Sequence, residues 1–366
     1  MSIDPSLIEG LRVCLSKGLT FAAFRRPGQP VEIWAQRTPD IEHIEGALLL
    51  ELNEAFVIAP FNMTDDRIPF IRSDVELQFG GLGPDISVLE ECTGSPLSSD
   101  RPGLSTDPVV FKQSIAEAKA VLESGDLQKV VLSRTLTTKL DRTSLRDLFV
   151  GAMLDHPEAF VAMVNTPLHG TWIGASPERL VYEEEDRVRV DALAGTLPVE
   201  SAPETPHEWG EKERNEQVLV AESVLHSFLE MELGEVAVHG PEVIRAGHVA
   251  HLRTTIHADL GTRTLGEVVL ALHPTPAVCG TPKTKAQAFI AQHENHDREL
   301  YAGFWGPWSP DEVTELFVNI RCMRVFSDSA TLYVGAGITA GSEAGAEWNE
   351  TEQKAQTWLG PIAALK

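Results

Sequence analysis

The hydrophobic residues of this 366-residue chain recur mostly in short runs rich in valine, isoleucine and phenylalanine, with polar residues between them. Such runs are typical of β-strands, whereas apolar residues three and four positions apart are typical of helices. In the first hundred residues the pattern predicts one helix over residues 5–17, followed by several strands. These strands are predicted at residues 21–24, 31–35, 47–52, 56–61 and 75–79.

A second helix is predicted where Asp107 precedes Pro108. Aspartate accepts hydrogen bonds from the first amides of a helix, and proline is favoured at the first helical position. The segment before it, residues 91–108, is rich in Ser, Pro, Gly and Asp and is predicted to be a linker or surface loop. The buried stripe of the helix is predicted to consist of Phe111, Ile115, Ala118 and Leu122.

Beyond this helix the chain alternates between strands and helices, with no internal repeat. This arrangement indicates an α+β or mixed α/β fold. At ~150 residues per domain the length allows two domains or one large unit. Strands are predicted at 127–140, 160–164, 172–175 and 187–193, two or three more within 236–259, and one ending in VNIRCMRV at 318–325; a helix is predicted over 265–272.

Residues 335–358, GAGITAGSEAGAEWNETEQKAQTW, are predicted to form a strand end, a glycine loop and a helix. The three glycines Gly335, Gly337 and Gly341 are predicted to let the backbone turn sharply and pass close to a bound group. Helical spacing then places three charged residues on one face, which Trp358 extends. These charged residues are Glu347, Glu350 and Lys354.

A second acidic pair, Glu213 and Glu216, lies upstream at the same i, i+3 spacing. Val220 and Val224 continue its face, so this helix side is predicted to turn inward. Four carboxylates on two such helices would offer the oxygen ligands that a hard divalent cation prefers. The alternative is two ordinary solvated acidic faces, and spacing alone slightly favours this second interpretation.

Two residues are candidates for acid–base chemistry. Lys129 lies in an apolar strand, where it is either at a sheet edge with its charge in water or buried as a base, and the edge is favoured from the strand alone. Glu178 follows Ser-Pro, where proline keeps the backbone extended, so its carboxyl faces a pocket or solvent. The segment 194–196 is predicted to be a turn that offers backbone donors.

The formal net charge of −24 argues against non-specific binding to nucleic acid or anionic membranes, because the overall field repels phosphate. An anionic ligand therefore needs a local positive site. The chain has no basic leader followed by an apolar run and no apolar stretch of ~18 residues, so we expect a cytoplasmic protein. The four scattered cysteines are expected to be reduced core residues.

Seven motifs occur in one order with compatible spacings. They are KVVLSR at 129–134, GASPERL at 174–180, LAGT at 193–196, LHPTPAVCG at 272–280, DRELYAG at 297–303, NIRC at 319–322 and GAGITAGSEAGAEWNETEQK at 335–354. Each motif is weak alone, but the set resembles the chorismate-utilising enzymes, which include isochorismate, salicylate, anthranilate and aminodeoxychorismate synthases. The likeness spans about residues 106–358.

The resemblance implies a single α/β domain over residues 1–366 that binds chorismate and Mg²⁺. Its core would be an antiparallel β-sheet wrapped by helices. Residues 1–100 would form a strand-rich N-terminal part, and residues 106–358 would carry the catalytic motifs.

The resemblance also implies roles for the acidic and basic candidates. Lys129 resembles the general base on the water that attacks C2 of chorismate. Glu178 resembles the general acid that protonates the departing C4 hydroxyl. The expected direct ligands of Mg²⁺ are Glu216 and Glu350, with Glu213 and Glu347 nearby or bridged by water.

The other matched residues are expected to bind the substrate. Tyr301 and Arg321 resemble the ligands of the enolpyruvyl carboxylate, where a planar guanidinium binds in bidentate fashion. His251 lies where the family places a histidine beside the substrate. The remaining members are Gly195, Thr196, Gly335 and Gly337 as hydrogen-bond donors and Lys354 as a counter-charge to the acids.

Two positions distinguish the branches of the family. Lys129 argues against anthranilate synthase, which resembles this chain but carries glutamine there because ammonia attacks. Ala277 matches the isochorismate synthases, whereas salicylate and aminodeoxychorismate synthases usually carry threonine, so Ala277 is expected to shape the pocket wall. Gln217 and Cys279 stand where many members of the family carry a histidine and a serine.

The first interpretation is therefore an Mg²⁺-dependent isochorismate synthase, an isomerase that feeds menaquinone or siderophore synthesis. One alternative is a salicylate synthase, which also eliminates pyruvate. Another is a non-catalytic acidic protein that binds metal or ligand. With water as the nucleophile no glutaminase subunit is needed, so we expect a monomer whose partner is chorismate, with no nucleic acid and no membrane.

Overall fold

The computed structural model describes residues 4–63, 65–81, 83–96, 100–246, 249–309 and 313–365. Within these ranges the chain forms two nine-stranded sheets in which every strand pairing is antiparallel. The predicted class, mixed α/β with an antiparallel core, is confirmed. Strands from residues 1–100 extend both sheets.

The first sheet has the strand order β14-β7-β18-β17-β9-β8-β1-β2-β6. Its strands are β1 (Phe21–Arg25), β2 (Val31–Ala35), β6 (Val75–Phe79), β7 (Lys129–Lys139), β8 (Phe160–Thr166), β9 (Gly170–Ser176), β14 (Gly280–Thr281), β17 (Cys322–Val325) and β18 (Ser329–Ile338).

The second sheet has the strand order β12-β13-β11-β10-β16-β15-β4-β5-β3. Its strands are β3 (Glu42–Glu45), β4 (Ala55–Ala59), β5 (Arg67–Arg72), β10 (Arg179–Glu184), β11 (Arg187–Pro198), β12 (Gly234–Ala246), β13 (Val249–Asp259), β15 (Phe304–Trp308) and β16 (Thr314–Val318).

Helices pack against these sheets, and several begin where the sequence supplies a cap. Asp4 and Asp107 accept hydrogen bonds from Ser6 N and Val109 N, and Thr264 forms a capping box with Glu267. The helices are α1 (Pro5–Lys17), α2 (Pro108–Glu123), α3 (Leu145–Asp155), α4 (Glu211–Glu230), α5 (Leu265–Leu272), α6 (Lys283–His293) and α7 (Ala344–Ala364).

The main core lies between the two sheets. Phe160 of β8 stacks on Phe317 of β16 with ring centroids 4.1 Å apart. Alternation along β8 sends Phe160 into this core and Val161 to the opposite face, where α1, α3 and α7 cover the sheet. Because both faces of β8 are buried, its sequence is a continuous apolar run.

The bounds predicted for α1, α5, β2 and β6 are confirmed, and so is the buried stripe of α2. The strand predicted at 47–52 is wrong, because Gly46–Glu51 is a 3₁₀ helix. A Cβ on Gly46 would lie 2.2 Å from Leu270 Cδ1, and one on Gly266 would lie 1.9 Å from Gly46 O. Residues 46–51 therefore pack against helix α5, and they do not pair with a neighbouring strand.

The predicted loop at 91–108 contains three residues, 97–99, that lie outside the described ranges. Its later part runs along β7, since Thr106 N donates to Thr135 O (2.9 Å) and Thr137 Oγ1 donates to Gly103 O (2.8 Å). Among the helices within the described ranges, none is both long and apolar enough to cross a membrane.

Candidate active site

Lys129 is buried at the start of β7, with only 2% of its side chain exposed. Its strand lies between β14 and β18, so the predicted position at a sheet edge with the charge in water is wrong. Its Nζ lies 2.8 Å from Oε1 of Glu216 on α4. This ion pair fixes the lysine amine at the junction of a sheet and a helix.

Gly337 of β18 makes room for this ion pair. It lies opposite Val131 in the sheet, and a Cβ on it would be 3.0 Å from both Glu216 Oε1 and Lys129 Cε. Gly335 has a similar role, because a Cβ there would lie 2.6 Å from the Tyr301 hydroxyl. Both glycines lie in extended strand, so the prediction that they turn the chain sharply is wrong.

Glu178 lies between β9 and β10, where its backbone N–H donates to Ser176 Oγ at 3.2 Å. Burial raises the pKa of its carboxyl to about 7, and the charges of Lys129 and Lys354 limit the rise. A carboxyl with this pKa is protonated in a large fraction of molecules at neutral pH. Glu178 can therefore donate a proton under conditions in which an exposed glutamate cannot.

Three of the four predicted metal-binding glutamates are ion-paired with lysines. Besides the Lys129 pair, Lys212 Nζ lies 3.2 Å from Glu347 Oε1, and Lys354 Nζ lies 2.6 Å from Glu350 Oε1. Glu347 is only 2% exposed. The interpretation of both acidic faces as ordinary solvated helix surfaces is therefore wrong.

Glu213 lies one turn before Glu216, beside two glycines. A Cβ on Gly195 would be 2.9 Å from Glu213 O, and a Cβ on Gly210 would be 2.3 Å from Glu213 Oε2. The start of α4 thus packs closely against β11 because Gly195 has no side chain, and Gly210, the residue before α4, leaves room for the carboxylate of Glu213.

Within the described ranges no three His, Cys, Asp or Glu side chains are arranged to hold a metal ion. The donor set nevertheless suits Mg²⁺, which takes carboxylate oxygens. Burial alone would raise the pKa of Glu216, but the charge and hydrogen bond of Lys129 outweigh it and lower that pKa. Glu216 is thus an anionic oxygen donor. In this structure the cations that contact Glu216, Glu347 and Glu350 are lysines.

Arg321 lies in the turn between β16 and β17 with a φ of +50°, so the prediction that it belongs to a strand is wrong. Burial lowers the pKa of its guanidinium, whereas Glu350 and Tyr301 raise it. Arg321 therefore lies close enough to Glu350 of α7 and to Tyr301 for their charges to act on it.

His251 of β13 pairs across the sheet with Thr196 of β11, and Thr196 Oγ1 lies 3.0 Å from His251 Nδ1. Burial lowers the pKa of His251 to about 4, with further lowering by Arg321 and Lys354. The ring is therefore neutral at physiological pH. The turn predicted at 194–196 is instead a β-bulge inside β11, where Gly195 has a φ of +64°.

Ala277 lies in a partly buried turn after α5. The loop that contains it ends in β14, which pairs with Lys129 and Val130, and Cys279 O accepts a hydrogen bond from Val131 N at 2.8 Å. The proline-rich loop is thus joined directly to the strand that carries the buried lysine.

The predicted residues thus come from both sheets, two helices and the connections between elements. Lys354 joins several of them, because its Nζ also donates to Gly335 O at 2.8 Å. Three cations, Lys129, Arg321 and Lys354, gather here in a chain with a net charge of −24, and two of them, Lys129 and Lys354, are paired with Glu216 and Glu350.

Sequence reasoning missed two features of the site. Lys212 is next to Glu213 in the sequence, yet spacing does not show that it reaches Glu347 on α7. Gln217, noted only as a departure from the family, is 2% exposed and donates to Ala192 O and Thr254 Oγ1 at 3.0 and 2.9 Å. It fastens α4 to the second sheet beside Glu216.

Residues 92–362 match the family of chorismate binding enzymes. This range contains every residue assigned to the site and begins before helix α2. The protein belongs to the chorismate binding enzyme family, as its motifs predicted.

Several relatives have assigned activities. The chain is 31% identical over 275 residues to isochorismate synthase MenF of Escherichia coli (strain K12), which covers 72% of this chain and 62% of that protein. It is 32% identical over 269 residues to isochorismate synthase DhbC of Bacillus subtilis (strain 168), covering 69% and 67%. It is also 31% identical over 263 residues to anthranilate synthase component 1 of Streptomyces coelicolor, covering 68% and 50%.

Solved structures share the fold. Menaquinone-specific isochorismate synthase MenF from Escherichia coli superimposes with a TM-score of 0.77 at 23% identity, over 97% of this chain and 90% of that chain. Anthranilate synthase component I from Streptococcus pneumoniae TIGR4 gives a TM-score of 0.70 at 20% identity, over 92% and 90%. Both activities thus occur on this fold, so the branch has to be argued from the site.

We predict that Glu178 titrates near neutral pH. In an NMR titration of labelled glutamate carboxyl carbons, one signal should report a pKa of about 7 and be absent in Glu178→Gln. Lys129→Gln should raise this pKa, because the lysine charge now lowers it. Lys285→Gln, which removes an exposed ion pair with Asp126, should leave it unchanged. An ordinary glutamate pKa for Glu178 would contradict the effect assigned to its partly buried position.

Proposed function

We propose that this protein is an isochorismate synthase that converts chorismate to isochorismate. The observation that carries the proposal is the buried lysine amine of Lys129 in one site with a carboxyl, Glu178, whose pKa is raised to about 7. Addition of water at one ring carbon and loss of hydroxide at another need such a base and such an acid.

Substrate binding is assigned to the cationic part of the site. The guanidinium of Arg321 offers paired N–H donors to the enolpyruvyl carboxylate, and the hydroxyl of Tyr301 offers another. The neutral ring of His251, held by Thr196, and the strand around Gly335 and Gly337 border the ring of the substrate. Tyr301 remains a phenol because burial raises its pKa.

The reaction then needs two proton transfers. In its uncharged amine form Lys129 takes a proton from the water whose oxygen bonds to C2, and Glu178 gives a proton to the hydroxyl that leaves C4. The double bonds of the ring shift between these carbons, so one water is consumed and one is released. Each transfer by a positioned side chain is typically worth ~10²- to 10⁴-fold in rate.

Mg²⁺ is the cofactor that the acidic pairs would hold. Glu216 and Glu350 are the proposed direct ligands, with Glu213 and Glu347 beside them. When bound, the ion would supply Lewis-acid polarisation of the ring carboxylate. Lys212 and Lys354 are the counter-ions of Glu347 and Glu350.

The choice among branches rests on Lys129 and Ala277. A lysine amine can activate water, which favours an isochorismate or salicylate synthase over an anthranilate synthase. Ala277 favours the first of these, because salicylate synthases usually carry threonine at the matching position. Its loop joins β7 beside Lys129. We further propose a cytoplasmic monomer without a glutaminase subunit. The MenF relative is described as menaquinone-specific, and that pathway or siderophore synthesis would use the product.

Purified protein given chorismate and Mg²⁺ should release isochorismate with little pyruvate, as measured by chromatography. Lys129→Gln should reduce turnover by about 10²- to 10⁴-fold because it removes the base but leaves a donor for Glu216. Ala277→Thr should slow turnover or change the product ratio. Stoichiometric salicylate and pyruvate from the wild type would instead show a salicylate synthase, and binding without turnover would show a non-catalytic protein.

Removal of a carboxylate should weaken Mg²⁺ binding. Glu216→Gln and Glu350→Gln should each raise the Mg²⁺ dissociation constant by more than about tenfold, the lower end of the loss seen for outer-shell partners. The double variant should lose less than the sum, since both residues serve one ion. Calorimetry measures this without turnover, and exposed Glu222→Gln on α4 is the control. Additive losses would argue against a shared site.

A further inference from the structure

The backbone of Arg321 is held in an unusual conformation. Its φ of +50° lies in the left-handed region, where a Cβ crowds the following carbonyl, so residues other than glycine rarely adopt it. Such a conformation persists only where the surrounding structure holds it, and it is found disproportionately at functional sites. The residues that hold the backbone of Arg321 therefore also fix the position from which its side chain extends.

The carbonyl oxygen of Arg321 accepts two hydrogen bonds. One comes from the backbone N–H of Ala175 in β9 at 3.1 Å, and the other from the indole Nε1 of Trp358 at 2.7 Å. Trp358 is only 2% exposed, so its ring has little freedom to move. The sheet and the helix α7 together fix the orientation of this one peptide group.

Trp358 lies on the same helix as Glu350, one of the two proposed direct ligands of Mg²⁺. Upstream in α7, Lys354 donates to Gly335 O at 2.8 Å. Further upstream, Arg134 of β7 donates to Thr351 Oγ1 at 2.6 Å. The helix is thus fastened along its length to the strands of the site, and the indole is its contact with the turn that bears Arg321.

We propose that Trp358 is a positioning residue for recognition of the substrate carboxylate. Its indole N–H holds the left-handed backbone of Arg321, and this places the guanidinium for a bidentate contact with the enolpyruvyl group. The inference rests on the proposed function. Two parallel hydrogen bonds between planar groups need a defined orientation, so a loosened backbone lowers affinity for chorismate more than it slows the chemical step.

Trp358→Phe tests this, because it keeps an aromatic ring and removes the N–H. We expect KM for chorismate to rise roughly fivefold, the effect of one lost hydrogen bond, with kcat nearly unchanged. Equilibrium dialysis with chorismate should show the same loss of affinity. Trp34→Phe is the matched control, since Trp34 is also buried and donates its Nε1 to Glu32 in β2, away from the site.

A second comparison separates positioning from general loss of structure. In an Arg321→Ala background, Trp358→Phe should have no further effect on KM, because the indole acts through Arg321. Thermal unfolding is measured for each variant, and if Trp358→Phe does not fold, Trp358→His, which keeps a ring N–H, is compared with Trp358→Leu.

An unchanged KM in folded Trp358→Phe, or an equal rise in the Arg321→Ala background, would overturn the inference while leaving the proposed function intact. If the donor-free and donor-bearing replacements share one KM, the inference is also overturned. A wild-type protein that neither binds nor converts chorismate would remove the proposed function itself.

Discussion

The site is organised around one buried ion pair, Lys129 with Glu216. A buried ammonium is tolerated only with a close counter-charge, and removing one partner of such a pair typically costs roughly 3–5 kcal/mol. The pair joins β7 to α4, and Gly337 leaves the space for it. The charge of Lys129 also limits how far the pKa of Glu178 rises. The position of Lys129 therefore depends on Glu216 and on the space left by Gly337, and the pKa of Glu178 depends on Lys129.

Helix α7 provides the second part of the site. Arg134 lies 3.8 Å over the ring of Trp348 and holds the start of the helix, while Lys354 and Trp358 contact Gly335 and Arg321. The helix thus connects the acidic residues proposed to hold Mg²⁺ with the arginine proposed to hold the substrate carboxylate. Helix α7 would therefore contribute to binding of both substrate and cation, together with Glu216 on α4 and the turn that bears Arg321, which favours a fixed orientation of the ring.

Much of this was predictable from the sequence, because caps and periodicity are local. Asp107 and Pro108 fix the start of α2, and spacing placed each acidic pair of α4 and α7 on one helix face, although spacing alone slightly favoured solvated faces. Periodicity does not report long-range contacts. It therefore did not show that Lys212 reaches Glu347, that Gly46 packs on α5, or that Arg321 interrupts an apolar run with a left-handed residue. These features depend on neighbours distant in sequence.

The chemistry assigned to Lys129 and Glu178 requires that the new hydroxyl oxygen at C2 comes from solvent. The most direct test is mass spectrometry of isochorismate formed by the purified protein in ¹⁸O-labelled water during early turnover. Attack by a lysine-activated water predicts one heavy oxygen atom in the product, located at C2. Isochorismate that contains only the original oxygens would mean that the hydroxyl moves within the substrate, and it would contradict the roles given to the base and the acid.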